Sequence, residues 1–161
     1  MAQSTWLQLV SGEEIRHLKE NPGSIDDLDK AESFRTHFGL SLNYFLTGAT
    51  YPNSPAHPLY AALDGAESVA CPTLENAYFG VVTPEQAADL AAHLAAVDPA
   101  AVQVAVERAD FEELVDEQEI HELEIFPPDE VPGLIVAELK ELTAFYARAA
   151  DAGLGAVMYT T

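Results

Sequence analysis

The sequence predicts an α+β fold, and three observations carry that prediction. Apolar residues recur at helical spacing, most clearly near the end, where Ile135, Leu139, Leu142, Phe145 and Ala149 share one face. Short runs rich in β-branched and aromatic residues at 5–10, 77–82 and 156–160 read as strands at the start, middle and end of the chain. Strand backbones need hydrogen-bond partners, so the simplest arrangement gathers these three into one small sheet packed by about seven helices. The 161 residues then form a single domain, near the usual ~150 residues per domain.

Each element has a local reason. The first strand ends at Ser11, which with Glu14 makes a capping box: the hydroxyl takes an orphan amide of the first turn and the glutamate reaches back. A helix follows to about Glu20 and stops at Asn21-Pro22-Gly23. A second short helical stretch covers 24–28. From Ala31 to Thr47, Phe34, Phe38, Leu42 and Phe45 fall at helical spacing and predict one helix, with Gly48 as its stop. Residues 51–58 hold three prolines and read as a loop, and Pro58 then opens a short helix to Leu63 that ends near Gly65. Residues 68–75 read as irregular. Thr83-Pro84-Glu85-Gln86 combines a cap, a first-position proline and a returning glutamine, and opens a helix to Val97. Asp98-Pro99 repeats the signal. Asp110 with Glu113 gives a third box and opens an acidic helix to about Ile120. Pro127-Pro128 breaks the pattern before the last helix, from about Leu134 to Ala150, which Gly153 ends. Burying the four larger residues of its apolar face contributes roughly 6–12 kcal/mol before conformational entropy is subtracted.

Charge narrows the function classes. The formal net charge is −20, with three Lys and four Arg in the whole chain. Between Ala109 and Leu139 stand eleven acidic side chains and no Lys or Arg. Such a surface repels nucleic acid and anionic lipid and attracts basic partners. No apolar stretch approaches the ~20 residues of a membrane span, and the first residues carry no basic segment of a secretory signal. The single cysteine, Cys71, excludes an intramolecular disulfide. A cytoplasmic location is therefore expected. The 26 alanines against three lysines suggest a GC-rich bacterial genome. No Gly-x-Ser-x-Gly elbow, P-loop or dinucleotide fingerprint is present. No cofactor is called for.

An ordered set of motifs resembles the YfbM-like family of small bacterial proteins of unknown function. It comprises Asp29-Lys30 after a short helix, Leu42-Asn43-Tyr44-Phe45-Leu46-Thr47-Gly48, and Pro58-Leu59 with Gly65 downstream. Phe79-Gly80 leading into Thr83-Pro84-Glu85-Gln86 follows, then Glu122-Leu123-Glu124-Ile125-Phe126-Pro127 before a long helix and a closing strand. The set spans most of the chain. The resemblance implies an α+β fold and a bacterial origin, and it carries no activity.

Three groups of residues are candidates for function. The first is an interaction face of Asp110, Glu112, Glu113, Asp116, Glu117 and Glu119 on the acidic helix, suited to a basic partner protein. Like charges four apart there cost roughly 0.2–0.5 kcal/mol per pair, little enough that a plain solvated helix face is the simpler explanation of them. The second is a pocket of His37, Ser41 and Tyr44, which on one helix fall at i, i+4 and i+7, with Asp29 nearby; His37 would act as acid or base and Tyr44 as donor. The bland alternative is that these groups satisfy one another in the core. The third is a weak metal candidate, Glu117 with His121 four residues on, which lacks a second histidine nearby. The favoured reading is a non-enzymatic interaction module, immunity-type inhibitors being one concrete form; the rival is a small enzyme or ligand-binding protein using the pocket or the metal. Monomer and homodimer are both compatible with a sheet that has edges.

Overall fold

The last residues of the chain lie between its first and its middle ones. In the computed structural model, which describes residues 3–28, 33–50 and 56–161, β5 (Gly155–Thr160) runs between β1 (Thr5–Val10) and β4 (Tyr78–Val82). Two further strands extend the edges. β2 (Ser33–Thr36) pairs with β1 and β3 (Glu67–Ala70) with β4, giving an antiparallel sheet in the order β2-β1-β5-β4-β3. The α+β class and the association of the three predicted strands hold. The sheet has five strands rather than three.

Two predicted segments are corrected. The single helix from Ala31 to Thr47 is a strand followed by a shorter helix, α2 (Gly39–Thr47). Phe34 sits on β2 opposite Leu7, and the Thr36 hydroxyl accepts the Phe38 amide at 2.9 Å, which turns the chain into α2. Phe34 and Phe38 are both buried, one from a strand and one from a turn. Their spacing of four imitated a helix. The stretch 68–75, read as irregular, begins with the edge strand β3. Residues 31–32 and 51–55 of the predicted helix and loop lie outside the described residues.

The remaining helices follow their caps. α1 (Gly12–Glu20) and α4 (Pro84–Ala95) have both halves of their capping boxes, from Ser11 with Glu14 and from Thr83 with Gln86. A 3-10 turn covers Pro22–Asp27, and α3 (Ala61–Asp64) is a single turn. Asp98 caps α5 (Pro99–Arg108) through the Ala100 amide. Asp110 accepts the Glu113 amide to start α6 (Phe111–Gln118). A second 3-10 turn, His121–Glu124, follows. α7 (Val131–Ala152) begins a few residues earlier than expected, with Pro132 in its first turn, and ends at left-handed Gly153. No single helix among the described residues is long and apolar enough to cross a membrane.

Strand alternation divides the core. Leu7, Val82, Ala156 and Met158 meet Leu90, Leu94, Ile135, Leu139, Leu142 and Phe145 of α4 and α7. On the opposite face Phe79, Val81, Val157 and Tyr159 meet Ile15, Leu18 and Ile25. β5 is thus covered on both sides, which explains its unbroken apolar run. Near one end of the sheet the backbone of Asp64-Gly65 crosses β4 closely. Gly65 has φ 91°, and a Cβ on Gly80 would collide with the Asp64 carbonyl oxygen. The buried Tyr146 hydroxyl donates to the Ala62 carbonyl at 2.5 Å and fixes α3 against α7.

This close crossing predicts the effect of one substitution. Gly80→Ala should lower unfolding stability by about 1–3 kcal/mol, measured as a lower midpoint in urea with an unchanged slope. A midpoint equal to that of the parent would contradict the crossing.

Candidate functional site

A cleft of about 170 Å³ opens where α2, α3, the ends of β1 and β5, and the second 3-10 turn meet. α2 supplies its floor. Gly39 lies so close to β1 that a Cβ there would sit 2.5 Å from the Thr5 hydroxyl oxygen, and this contact seats the first turn of α2 on the strand. Leu40 and Asn43 then face the cleft. On the far wall Asp64 terminates α3, and Tyr78 of β4 donates its hydroxyl to the Asp64 carboxylate at 3.0 Å.

Glu122 closes the near side. The helix it meets has no side-chain cap of its own, since its N-cap residue is Phe38, and the first amides of any helix need acceptors. Glu122 supplies one from 81 residues away: the Ser41 amide donates to its carboxylate at 2.5 Å. Burial pushes the Glu122 carboxyl up to about 7, against the lowering effect of the Ser41 hydroxyl and of the Ser41 and Leu40 amides. The desolvation of the charge outweighs the hydrogen bonds. The Ser41 hydroxyl adjoins the same carboxyl, is fully buried, and makes no full hydrogen bond. A wider basin of about 550 Å³, lined by Glu119, His121 and Glu124 among others, shares Glu122 with the cleft. A carboxyl of this kind can accept, donate or exchange a proton near neutrality.

The predicted residues fall in separate places. Asp29 lies outside the described residues. α2 begins at Gly39, so His37 stands outside the helix and the proposed stripe of His37, Ser41 and Tyr44 does not form. His37 is half-buried, with Nδ1 3.1 Å from the Ser4 hydroxyl, which also accepts from Arg35 Nε at 3.0 Å. Tyr44 packs edge-on against Phe45 at 5.3 Å between ring centroids. Of the three described pocket residues, Ser41 alone reaches the cleft's edge, through its amide. Glu117 and His121 do not share a helix face, because α6 ends at Gln118 and Glu119 turns left-handed. His121 lies 3.7 Å from Glu124 instead. Among the described residues no group of three His, Cys, Asp or Glu side chains is placed to hold a metal ion.

The acidic face is arranged as an outer surface. Asp110, Glu112, Glu113, Asp116, Glu117 and Glu119 are exposed while Leu114 and Val115 anchor α6 inward. Among the described residues no Lys or Arg pairs with any of the six; the cationic side chains of Arg16 and Lys19 meet Glu13 and Glu67 elsewhere. Sequence reasoning missed Asn43, Asp64 and Tyr78 as cleft residues and named Glu122 only as part of a family-like motif. One signal was available for Asn43, a lone carboxamide inside the apolar run Leu42–Leu46. The pairing of Asp64 with Tyr78 depends on the β4 crossing and has no local signature.

The family described as Domain of unknown function (DUF1877) matches residues 1–159. The solved structures include a protein of unknown function, YfbM from Escherichia coli, which this fold resembles with a TM-score of 0.70 at 18% identity, over 98% of this chain and 99% of that one. At that identity the likeness is one of fold. No curated protein matches the chain.

The buried carboxyl makes stability depend on pH with a definite sign. Its folded value of about 7 lies above its ordinary 4.5, so its contribution is full below about 4.5 and is lost as pH rises through 7. That shift corresponds to on the order of 3 kcal/mol. Glu122→Gln removes the titration. The variant should therefore gain stability relative to the parent between pH 5 and pH 8, read by chemical denaturation at each pH. The comparison cancels the contribution of Glu138, whose carboxyl burial also raises. Parallel pH profiles for the two proteins would contradict the assignment.

Proposed function

The chain belongs to the DUF1877 family, whose function is unknown, and from that premise we propose that it is a non-enzymatic interaction module whose acidic α6 face docks a basic partner. One observation carries this reading: six carboxylates project from one short helix and its ends, all exposed and none paired with Lys or Arg among the described residues. A charged surface left without counter-charges loses little on association when the partner supplies them, and it accelerates encounter. A basic toxin or nuclease is one partner of suitable chemistry, because carboxylates spaced along a helix present the same sign of charge as nucleic-acid phosphates. In that form the protein is an immunity-type inhibitor.

The alternative of a small enzyme or ligand-binding protein draws no support from His37, Tyr44 or His121, which do not converge. It draws some from the Glu122 cleft.

Attraction of this kind weakens as the Debye length falls from ~10 Å at 0.1 M salt to ~3 Å at 1 M. A partner recovered with the protein at low salt should be basic and should dissociate as salt is raised. The quadruple variant Glu112→Gln, Glu113→Gln, Asp116→Asn, Glu117→Gln should weaken the complex at least tenfold while leaving the fold intact by circular dichroism. Recovery of the same partner at equal yield across salt, or by the neutralised variant, would remove the basis of the proposal.

A further inference from the structure

We propose that the groove between α5 and the start of α7 anchors the basic partner: it takes up an apolar side chain from a segment of a protein whose flanking Lys or Arg residues meet the groove's acidic rim. The inference rests on the reading of α6 as a docking face and names the chemistry of what docks, because Asp110 belongs to both surfaces.

The groove follows from how the chain enters and leaves α6. α5 stops at Arg108, the corner at Ala109 and Asp110 turns the chain into α6, and Pro128 precedes the start of α7. These segments leave a concavity of about 870 Å³, toward the upper end of the ~300–1,000 Å³ of ligand pockets. Its floor is apolar. Val106 and Pro132 are buried at the bottom, and Phe111 and Leu134 pack on the main core while staying partly open to the groove. The backbone is accessible as well: a Cβ on Gly133 would meet nothing within 4 Å, and α7 starts there without a side-chain cap, so its first amides can receive a carbonyl of the docked segment.

The rim carries four carboxylates, Glu107 and Asp110 on one side and Asp129 and Glu130 on the other, all exposed. Glu107 accepts from Gln103 Nε2 at 3.0 Å and Asp110 from the Glu113 amide at 3.2 Å. Both donors are neutral, so neither cancels a charge. No Lys, Arg or His lines the groove. The carboxylates border the apolar floor without converging, and among the described residues no three are placed to hold a metal ion. Charge selects the occupant. Nucleic acid or an anionic ligand meets like charge on both sides. A second copy of the chain brings a further net charge of −20. A purely apolar ligand fills the floor and leaves the rim without counter-charge. A basic segment with an apolar residue between its cations matches both parts. The buried side chain then supplies most of the affinity, and the rim supplies orientation and encounter rate.

The test selects a random heptapeptide library on the full chain and titrates a selected synthetic peptide into ¹⁵N-labelled protein. Selected peptides should carry an aromatic or branched apolar residue close to two or more Lys or Arg, and should shift the Phe111, Gly133 and Leu134 amides saturably. Two variants, each checked by circular dichroism, should weaken binding at least tenfold: Gly133→Trp, which fills the groove from an exposed position, and the rim variant Glu107→Gln, Asp129→Asn, Glu130→Gln. Replacing the peptide's apolar residue by Ser should weaken it as much. Lys- or Arg-rich peptides that need no apolar residue, shift α6 and ignore Gly133→Trp would overturn the groove and leave the α6 reading standing. Groove shifts unchanged in the variant Glu112→Gln, Glu113→Gln, Asp116→Asn, Glu117→Gln would support the groove and remove the outer α6 face from the docking surface. Peptides without a basic bias, or no selection at all, would overturn the proposal.

Discussion

The contact between Glu122 and the open start of α2 organises this end of the molecule. A helix whose N-cap residue is Phe38 has amides with nothing local to satisfy them. A carboxylate there is favoured by the amides and by the helix dipole, and opposed by loss of water. The raised proton affinity of Glu122 says that desolvation is the larger effect. The contact persists because the segment on either side is anchored. Ile120 and Leu123 are buried to either side of it, and Phe126 packs against Phe38 at 5.4 Å between tilted ring centroids. One bond thereby ties the acidic third of the chain to the strand–helix unit near its start, and the cleft is the space this leaves.

The acidic stretch therefore contains carboxylates of different kinds. Asp110 caps a helix. Glu122 is withdrawn from water to satisfy α2. Glu138 is half-buried on α7, with one oxygen unpartnered and its proton affinity raised by burial and by Glu141. The α6 side chains stay in solvent and set the outward charge. Composition reports the sum of these and cannot separate them, because separation depends on which neighbour removes the water. Only the solvated set is placed to meet a basic partner.

Local chemistry made much of the fold legible. The capping boxes at Ser11 and Thr83 and the stop at Gly153 are decided within a few residues, and they place α1, α4 and the end of α7. The three longer strands carried enough apolar side chains to be seen. β2 and β3 did not. β3 has Val69 as its one larger apolar residue, and β2 places Phe34 four positions before Phe38, a spacing that a helix also produces. Pairing with β1 and β4 decides these segments, and pairing is a long-range property. The site was less legible for the same reason. His37, Ser41 and Tyr44 were grouped on the premise of one helix, which β2 interrupts. The groups that do converge come from α2, α3, β4 and a 3-10 turn, and no periodicity links them.

Glu122 is a carboxyl taken out of water by its place on α2, and its titration can be followed directly. Selective ¹³C labelling of glutamate side chains, with assignment by the Glu122→Gln spectrum, gives the midpoint of that one group. A midpoint near 7, well above the ordinary 4.5, is the predicted result. A midpoint at the ordinary value would mean that the side chain is solvated, that α2 is capped by something else, and that the cleft as described does not form.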